Sequence, residues 1–266
     1  MGGGRAQPDR GAMSVARRVT IEVCVENTDG LVVAQEAGTD RVELCASLLE
    51  GGLTPSWGMV EEAKRLATIP FHVIVRPRGG DFLYGDIELA AMLADVRALR
   101  RLGVAGVVVG CLTPAGEIDE ARMRALVDAA GPLSVTCHRA FDMTRDVGAA
   151  VEALVRCGVE RVLTSGQRDT ALEGLGTIRA TVEAARGRLG VMACGGLDAG
   201  NIARVRDETG APELHFAALR SEPSKMRYRN PEVGMGGTGL EREYINHVTD
   251  GTAVRAVIAA ARGGGQ

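Results

Sequence analysis

The sequence predicts one (β/α)8 TIM barrel in a single domain, and three observations carry that prediction. Eight short runs rich in Val and Ile alternate with longer stretches of helical periodicity. The runs mostly recur at the roughly 25-to-30-residue spacing of a strand, a crossover helix and two loops. The 266 residues show no break in composition, and a barrel of this kind takes about 250 residues.

Taken in order, residues 1–18 (MGGGRAQPDRGAMSVARR) hold Gly and Arg but no apolar h-region. They are expected to be a flexible tail rather than a secretory signal, leaving 19–266 for the barrel. Strand 19–24 precedes helix 30–37, strand 41–45 helix 57–67, strand 71–75 helix 87–102, and strand 106–109 helix 119–130. Strand 133–137 then precedes helix 147–157, strand 161–164 helix 172–186, and strand 189–193 helix 199–208. Strand 213–217 completes the set and helix 252–261 closes the chain. Gly38, Gly103, Gly131, Gly158 and Gly210 stand where helices should stop, since Gly accepts the left-handed conformation that ends a helix. Asp119, Asp146 and Asp198 are expected N-caps, their carboxylates accepting unpaired N–H groups of the first turn. An open doubly wound sheet is the alternative, but it calls for a GxGxxG turn after the first strand, and Asn27-Thr28-Asp29-Gly30 does not supply one. The aperiodic stretch 220–246, with YRNP and GMGGTG, is expected to be a loop folded over one barrel mouth.

Composition excludes several functions. A formal charge of −3 leaves no electrostatic footprint for nucleic acid or an anionic membrane. With aromatics at 3%, no surface for stacking bases is expected. No apolar run reaches the roughly 18 residues of a membrane helix. Six scattered cysteines without a CxxC pair, in a chain without a signal, predict reduced thiols and a cytoplasmic protein.

Barrels place functional side chains at strand C-termini and in the loops that follow. There the chain reads IEVC (Glu22, Cys24), VELC (Glu43, Cys45), RPRGGD (Arg76, Arg78, Asp81) and CHRAFD (His138, Arg139, Asp142). It continues with TSGQ (Ser165), CGGLD (Gly195, Gly196) and His215 on the eighth strand. Side chains two residues apart share a strand face, so Glu22, Glu43, Arg76 and His138 are expected to form an inner ring in which acids and bases satisfy one another. Such a ring is either a set of salt bridges plugging the barrel or a functional cluster. Gly195-Gly196, leading into a helix, is a candidate anion cradle. Cys24 and Cys45, on neighbouring strands, are candidate ligands for a soft ion such as Cu(I); the other reading is that they are small buried hydrophobes.

The same segments resemble the CutC family. DRVELC (40–45), EGGLTPS (50–56), VRPRGGDFLY (75–84), HRAFD (138–142), RVLTSGQ (161–167) and the YRN at 228–230 carry the resemblance, which runs in order from about residue 19 to 260. It implies a (β/α)8 barrel, a role in copper homeostasis, copper ligation by Cys24 and Cys45, and a pocket holding Glu22, Glu43, Arg76, Asp81, His138 and Asp142. Cys137 and Cys194 stand where the family usually has Phe and Gly, and Ala217 where it often has Ser.

Two functions follow as expectations. One is Cu(I) binding in copper homeostasis. The other is an enzyme, an isomerase or lyase, acting by acid–base chemistry on a small anionic metabolite. In it Glu22, Glu43, Arg76, His138 and Asp142 are the candidate catalytic residues, His138 with Glu43 moving protons and Arg76 with Arg78 binding the anion, while Asp81, Arg139, Ser165, Gly195, Gly196 and His215 complete the substrate site. Copper or a small anion is thus the expected partner, and a homo-oligomer is compatible with either.

Overall fold

In the computed structural model, which describes residues 18–235 and 239–263, eight parallel strands close into a barrel in sequential order. They are β1 (Thr20–Val25), β2 (Arg41–Leu44), β3 (Phe71–Ile74), β4 (Gly106–Val109), β5 (Ser134–Cys137), β6 (Arg161–Thr164), β7 (Gly190–Ala193) and β8 (Glu213–Phe216). The crossovers are α1 (Thr28–Glu36), α2 (Trp57–Leu66), α3 (Asp86–Leu102), α4 (Glu120–Ala130), α5 (Val147–Cys157), α6 (Leu175–Ala185) and α7 (Ile202–Thr209), and α8 (Gly251–Ala261) closes the chain. The expected tail lies almost wholly outside the described residues, as do three residues of the GMGGTG run. No described helix is long and apolar enough to cross a membrane.

Local chemistry explains the boundaries. The carboxylates of Asp119 and Asp146 accept the N–H groups of Arg122 and Ala149 and start α4 and α5. Asp198 behaves differently. Its carboxylate accepts from Gly200 and Asn201, closing a turn, and α7 begins only after Asn201, later than the pattern predicts. The stretch after β8 also departs from expectation. Rather than loop alone, it contains β9 (Leu219–Pro223) and β10 (Ile245–Thr249), an antiparallel pair separate from the barrel.

Two kinds of interior result. The main apolar core fills the space between strands and helices, with Ile21, Val23, Leu44, Val107 and Leu214 fully or almost fully buried. Inside the barrel the apolar side chains of the described residues form two small clusters, Cys24–Cys45–Ile74–Val108 and Leu163–Met192–Cys194. The barrel floor is polar. Arg41 donates to Glu22 and to Glu213 at 2.5 Å, and Arg161 donates to Glu213 at 2.7 Å and to Thr136. His72 lies buried beside them, its ring seated on Gly106, where a Cβ would come within 2.7 Å of it.

Candidate functional site at the barrel mouth

Register builds the first part of the site. Glu22 on β1 lies opposite Arg41 on β2 and His215 on β8, while Cys24 lies opposite Glu43. Paired positions on parallel strands aim their side chains to the same side. Glu22 is therefore clamped between two cations: Arg41, and the Nδ1 of His215 at 2.8 Å. Burial alone would raise its pKa, but the His215 hydrogen bond and the Arg41 charge prevail and hold the carboxyl well below the usual range. His215 shifts the opposite way. Burial opposes its charge, yet the bond to Glu22 and the charges of Glu43 and Glu22 raise its pKa. Glu43, mainly through burial, is pushed toward its protonated form.

Beside this triad sit the two strand-terminal thiols. The Cys24 Sγ donates to Glu43 Oε2 at 3.1 Å and lies 3.5 Å from the Cys45 Sγ. The contact with Cys45, burial and the Glu43 charge together push the Cys24 thiol well above its ordinary value. The Nε2 of His215 is 3.8 Å from Glu43 Oε2. One ligand atom each from Cys24, Glu43 and His215 fall within 4.8 Å of one another.

A different arrangement lines the other side of the same cavity, whose volume is about 390 Å³. Arg76, 6% exposed, gives its guanidinium N–H groups to the backbone carbonyls of Glu50, Gly52 and Gly80. Its guanidinium lies 5.0 Å from the centre of the Phe82 ring, and His138 packs against that ring at 4.9 Å. The His138 Nδ1 accepts the N–H of Ala140 at 3.2 Å, capping a 3-10 turn at Arg139–Met143. Burial first, and the Arg76 charge second, lower its pKa to about 3. The ring fits only because residue 110 is Gly: a Cβ there would lie 2.5 Å from His138 Cε1.

The predicted ring thus splits. Glu43, Arg76 and His138 line the cavity, whereas Glu22 lies behind His215. The acids and bases are not paired as expected, since Glu22 pairs with Arg41 and His215 rather than with Arg76 and His138. No hydrogen bond or ion pair joins His138 to Glu43 among the described residues, and deep burial keeps its ring neutral. Asp142 accepts from Thr164, Ser165, Gln167 and Arg139 and ties the β5 and β6 loops together. Ser165 is engaged with Asp142 and the carbonyl of Arg168. Arg78 and Asp81 pair with each other, and Arg78 also with Glu88, away from the cavity. Arg139, Gly195 and Gly196 do line the cavity, but α7 starts beyond the glycine pair and does not point its N-terminus from there. No described residue after Ala217 lines the cavity, so the described part of 220–246 does not contribute to it as expected.

The sequence reading passed over Arg41, Glu213, Arg161 and His72. Parity held the signal for two of them: Arg41 shares a face with Glu43, and Glu213 with His215. Phe82 and Gly110 lie in loops that periodicity does not reach.

Comparison with known proteins adds the family. Residues 19–220 match the family model described as CutC family. A CutC family protein of Mesorhizobium japonicum is 64% identical over 242 residues, covering 91% of this chain and 94% of its own. The human copper homeostasis protein cutC homolog is 44% identical over 258 residues, 97% of this chain and 94% of the relative. A crystal structure of the CutC of Streptococcus agalactiae superposes with a TM-score of 0.71 at 34% identity, covering 74% of this chain and 98% of that one.

Proposed function

This chain belongs to the CutC family, and from that premise we propose that its barrel mouth binds a single Cu(I) ion as part of copper homeostasis, with Cys24 and Cys45 as the principal ligands. The observation that carries the reading is the approach of their sulfurs to 3.5 Å, with Cys24 lining the cavity and Cys45 buried directly behind it. Thiolate is a soft donor and suits a soft ion. The donor set around the pair fits as well. Glu22 holds the Nδ1 of His215 and so turns the Nε2 toward Cys24 and Glu43, the carboxylate–histidine pattern that orients metal-binding imidazoles. In the metal-free protein the Cys24 thiol is held protonated and the carboxylates beside His215 favour its protonated form, so an entering ion competes with those protons.

A competition titration of the reduced protein against a Cu(I) chelator tests the reading. Wild type should hold one equivalent more tightly than Cys24→Ala/Cys45→Ala does, release protons as it binds, and tighten as pH rises. Equal affinity in the two proteins would contradict it.

A second use of the cavity is supported by Glu43 and His215. Burial favours the protonated acid, and a neighbouring imidazole is locked by a buried carboxylate. With the Nε2 of His215 3.8 Å from Glu43 Oε2, one proton shared between the two leaves one group as acid and the other as base toward a bound hydroxy or oxo compound. In this reading they replace the expected His138–Glu43 pair. Glyceraldehyde 3-phosphate incubated with metal-free protein in D2O should gain deuterium at C2 faster than with Glu43→Gln. Equal rates would remove this reading.

A further inference from the structure

We propose that the Arg76–His138 side of the cavity is a binding site for the oxyanion head, carboxylate or phosphate, of a small organic molecule whose remaining polar groups are uncharged. This site is separate from the metal ligands and does not rest on the copper reading. It shares a cavity with the proton-exchange reading, but it concerns recognition alone.

The argument begins with charge. Arg76 is a buried cation, and among the described residues no carboxylate forms an ion pair with it. Three carbonyls hold its terminal nitrogens, while its Nε has no partner among the described residues. Carbonyls orient a guanidinium without neutralising it, and a buried charge is costly until something of opposite sign arrives. Arg139, the other cation at this wall, is already paired with Asp142.

The second observation is independent of charge. Because the His138 Nδ1 accepts from Ala140, the ring proton sits on Nε2. That Nε2 is buried and has no partner, in a residue only 4% exposed that lines the cavity. An unanswered donor beside an unneutralised cation is the complement of an oxyanion. The site is built rather than incidental: Phe82 packs against both groups and Gly110 seats the ring. With the imidazole neutral, its N–H is present throughout the physiological pH range.

The opposite wall limits the rest of the ligand. Its charges are already answered, since Glu22 pairs with His215 and Arg41 and burial favours the protonated form of Glu43, so it offers a second anionic group no free cation, whereas a hydroxyl or carbonyl meets Glu43 and the Nε2 of His215. A volume of about 390 Å³ lies at the small end of ligand cavities. A short hydroxy or oxo acid, or the phosphate ester of a small polyol, meets all three conditions.

The test is calorimetry on metal-free protein with glycerate, glycerol 3-phosphate and, as the uncharged control, glycerol. One or both anions should bind and glycerol should not; which anion binds identifies the head group. Affinity should fall at least about 10-fold in Arg76→Gln and in His138→Phe, the loss expected for a charge-assisted bond, and stay within about twofold in Cys157→Ala, at the end of α5 and outside the cavity lining. Arg76 also ties three loop carbonyls, so a readout on wild type stands beside the variants: the anion that binds should shift the His138 Nε2 resonance in a nitrogen-15 spectrum. Binding of neither anion, or binding indifferent to both substitutions with an unmoved His138 signal, would overturn the proposal. Binding without deuterium exchange would uphold it while removing the proton-exchange reading.

Discussion

His215 and His138 line one cavity, and both are buried, yet their surroundings drive them in opposite directions. His215 stands on a strand whose register delivers it to Glu22, and there, against burial, the bond to Glu22 and the charges of Glu43 and Glu22 raise its pKa. His138 begins a loop, meets an aromatic ring and a guanidinium, and stays neutral. One side of the mouth has its charges paired by the barrel ladder. The other keeps a cation and a donor without counterparts. Burial therefore does not set the state of an ionisable group; the partner that burial brings with it does.

Breaking the paired side should do the greater damage to stability. Glu22→Leu leaves Arg41 with Glu213 as its one carboxylate partner among the described residues and takes from His215 the acceptor of its Nδ1, and loss of one partner from a buried pair costs about 3–5 kcal/mol. Urea unfolding should show that loss, with a clearly smaller one for Arg76→Gln, which removes a charge that had no carboxylate. Equal losses would erase the distinction between the two sides.

Acidification separates the same groups. His138 and His72 hold folded pKa values of about 3 and about 4, both below the unfolded value. The unfolded chain therefore takes up their protons first, so stability falls as pH drops from about 6.5 toward 3–4, by on the order of 3 kcal/mol for each histidine. Glu22, also depressed, adds a further loss below its ordinary range. His215 works with the opposite sign: its raised pKa stabilises fully below the unfolded value, and that contribution disappears as pH rises through the folded one. In the metal-free protein, histidine resonances followed by NMR should show His215 titrating above pH 6.5 and His138 unchanged down to about pH 4. A His138 titration near 6.5 would contradict its neutral, sealed setting.

Gly110→Ala sharpens the unpaired side. The added methyl would stand 2.5 Å from His138 Cε1, so the ring must move, at about 1–3 kcal/mol. Anion affinity should fall with it while Cu(I) affinity holds. The smallest effect belongs to Cys194→Ala. Cys194 lines the cavity but packs with Leu163 and Met192, and burial pushes its thiol well above its ordinary value. Removing the sulfur should cost about 1 kcal/mol and leave Cu(I) affinity unchanged.

The barrel was legible because hydrophobic period and helix stops are local. Glu43, Cys24, Arg76 and His138 were legible as mouth residues because strand C-termini converge on one face, while Cys45 sits behind Cys24 rather than on the cavity lining. Their pairing was not. Whether Glu22 meets Arg41 or Arg76 depends on inter-strand register, which a period-2 pattern leaves open. The floor of Arg41, Arg161, Glu213 and His72 stayed hidden for a related reason: attention to strand ends passes over inward-facing residues at strand starts. The stretch 220–246 read as loop because its two strands expose most of their residues and carry little apolar alternation.

The central claim is that the paired side of the mouth holds the metal through sulfur. X-ray absorption on protein loaded with one equivalent of Cu(I) tests it most directly. The account predicts a sulfur-dominated first shell in wild type that loses sulfur in Cys24→Ala/Cys45→Ala and is unchanged in Cys194→Ala. A first shell made of nitrogen and oxygen alone, or sulfur scattering that survives removal of both Cys24 and Cys45, would contradict it.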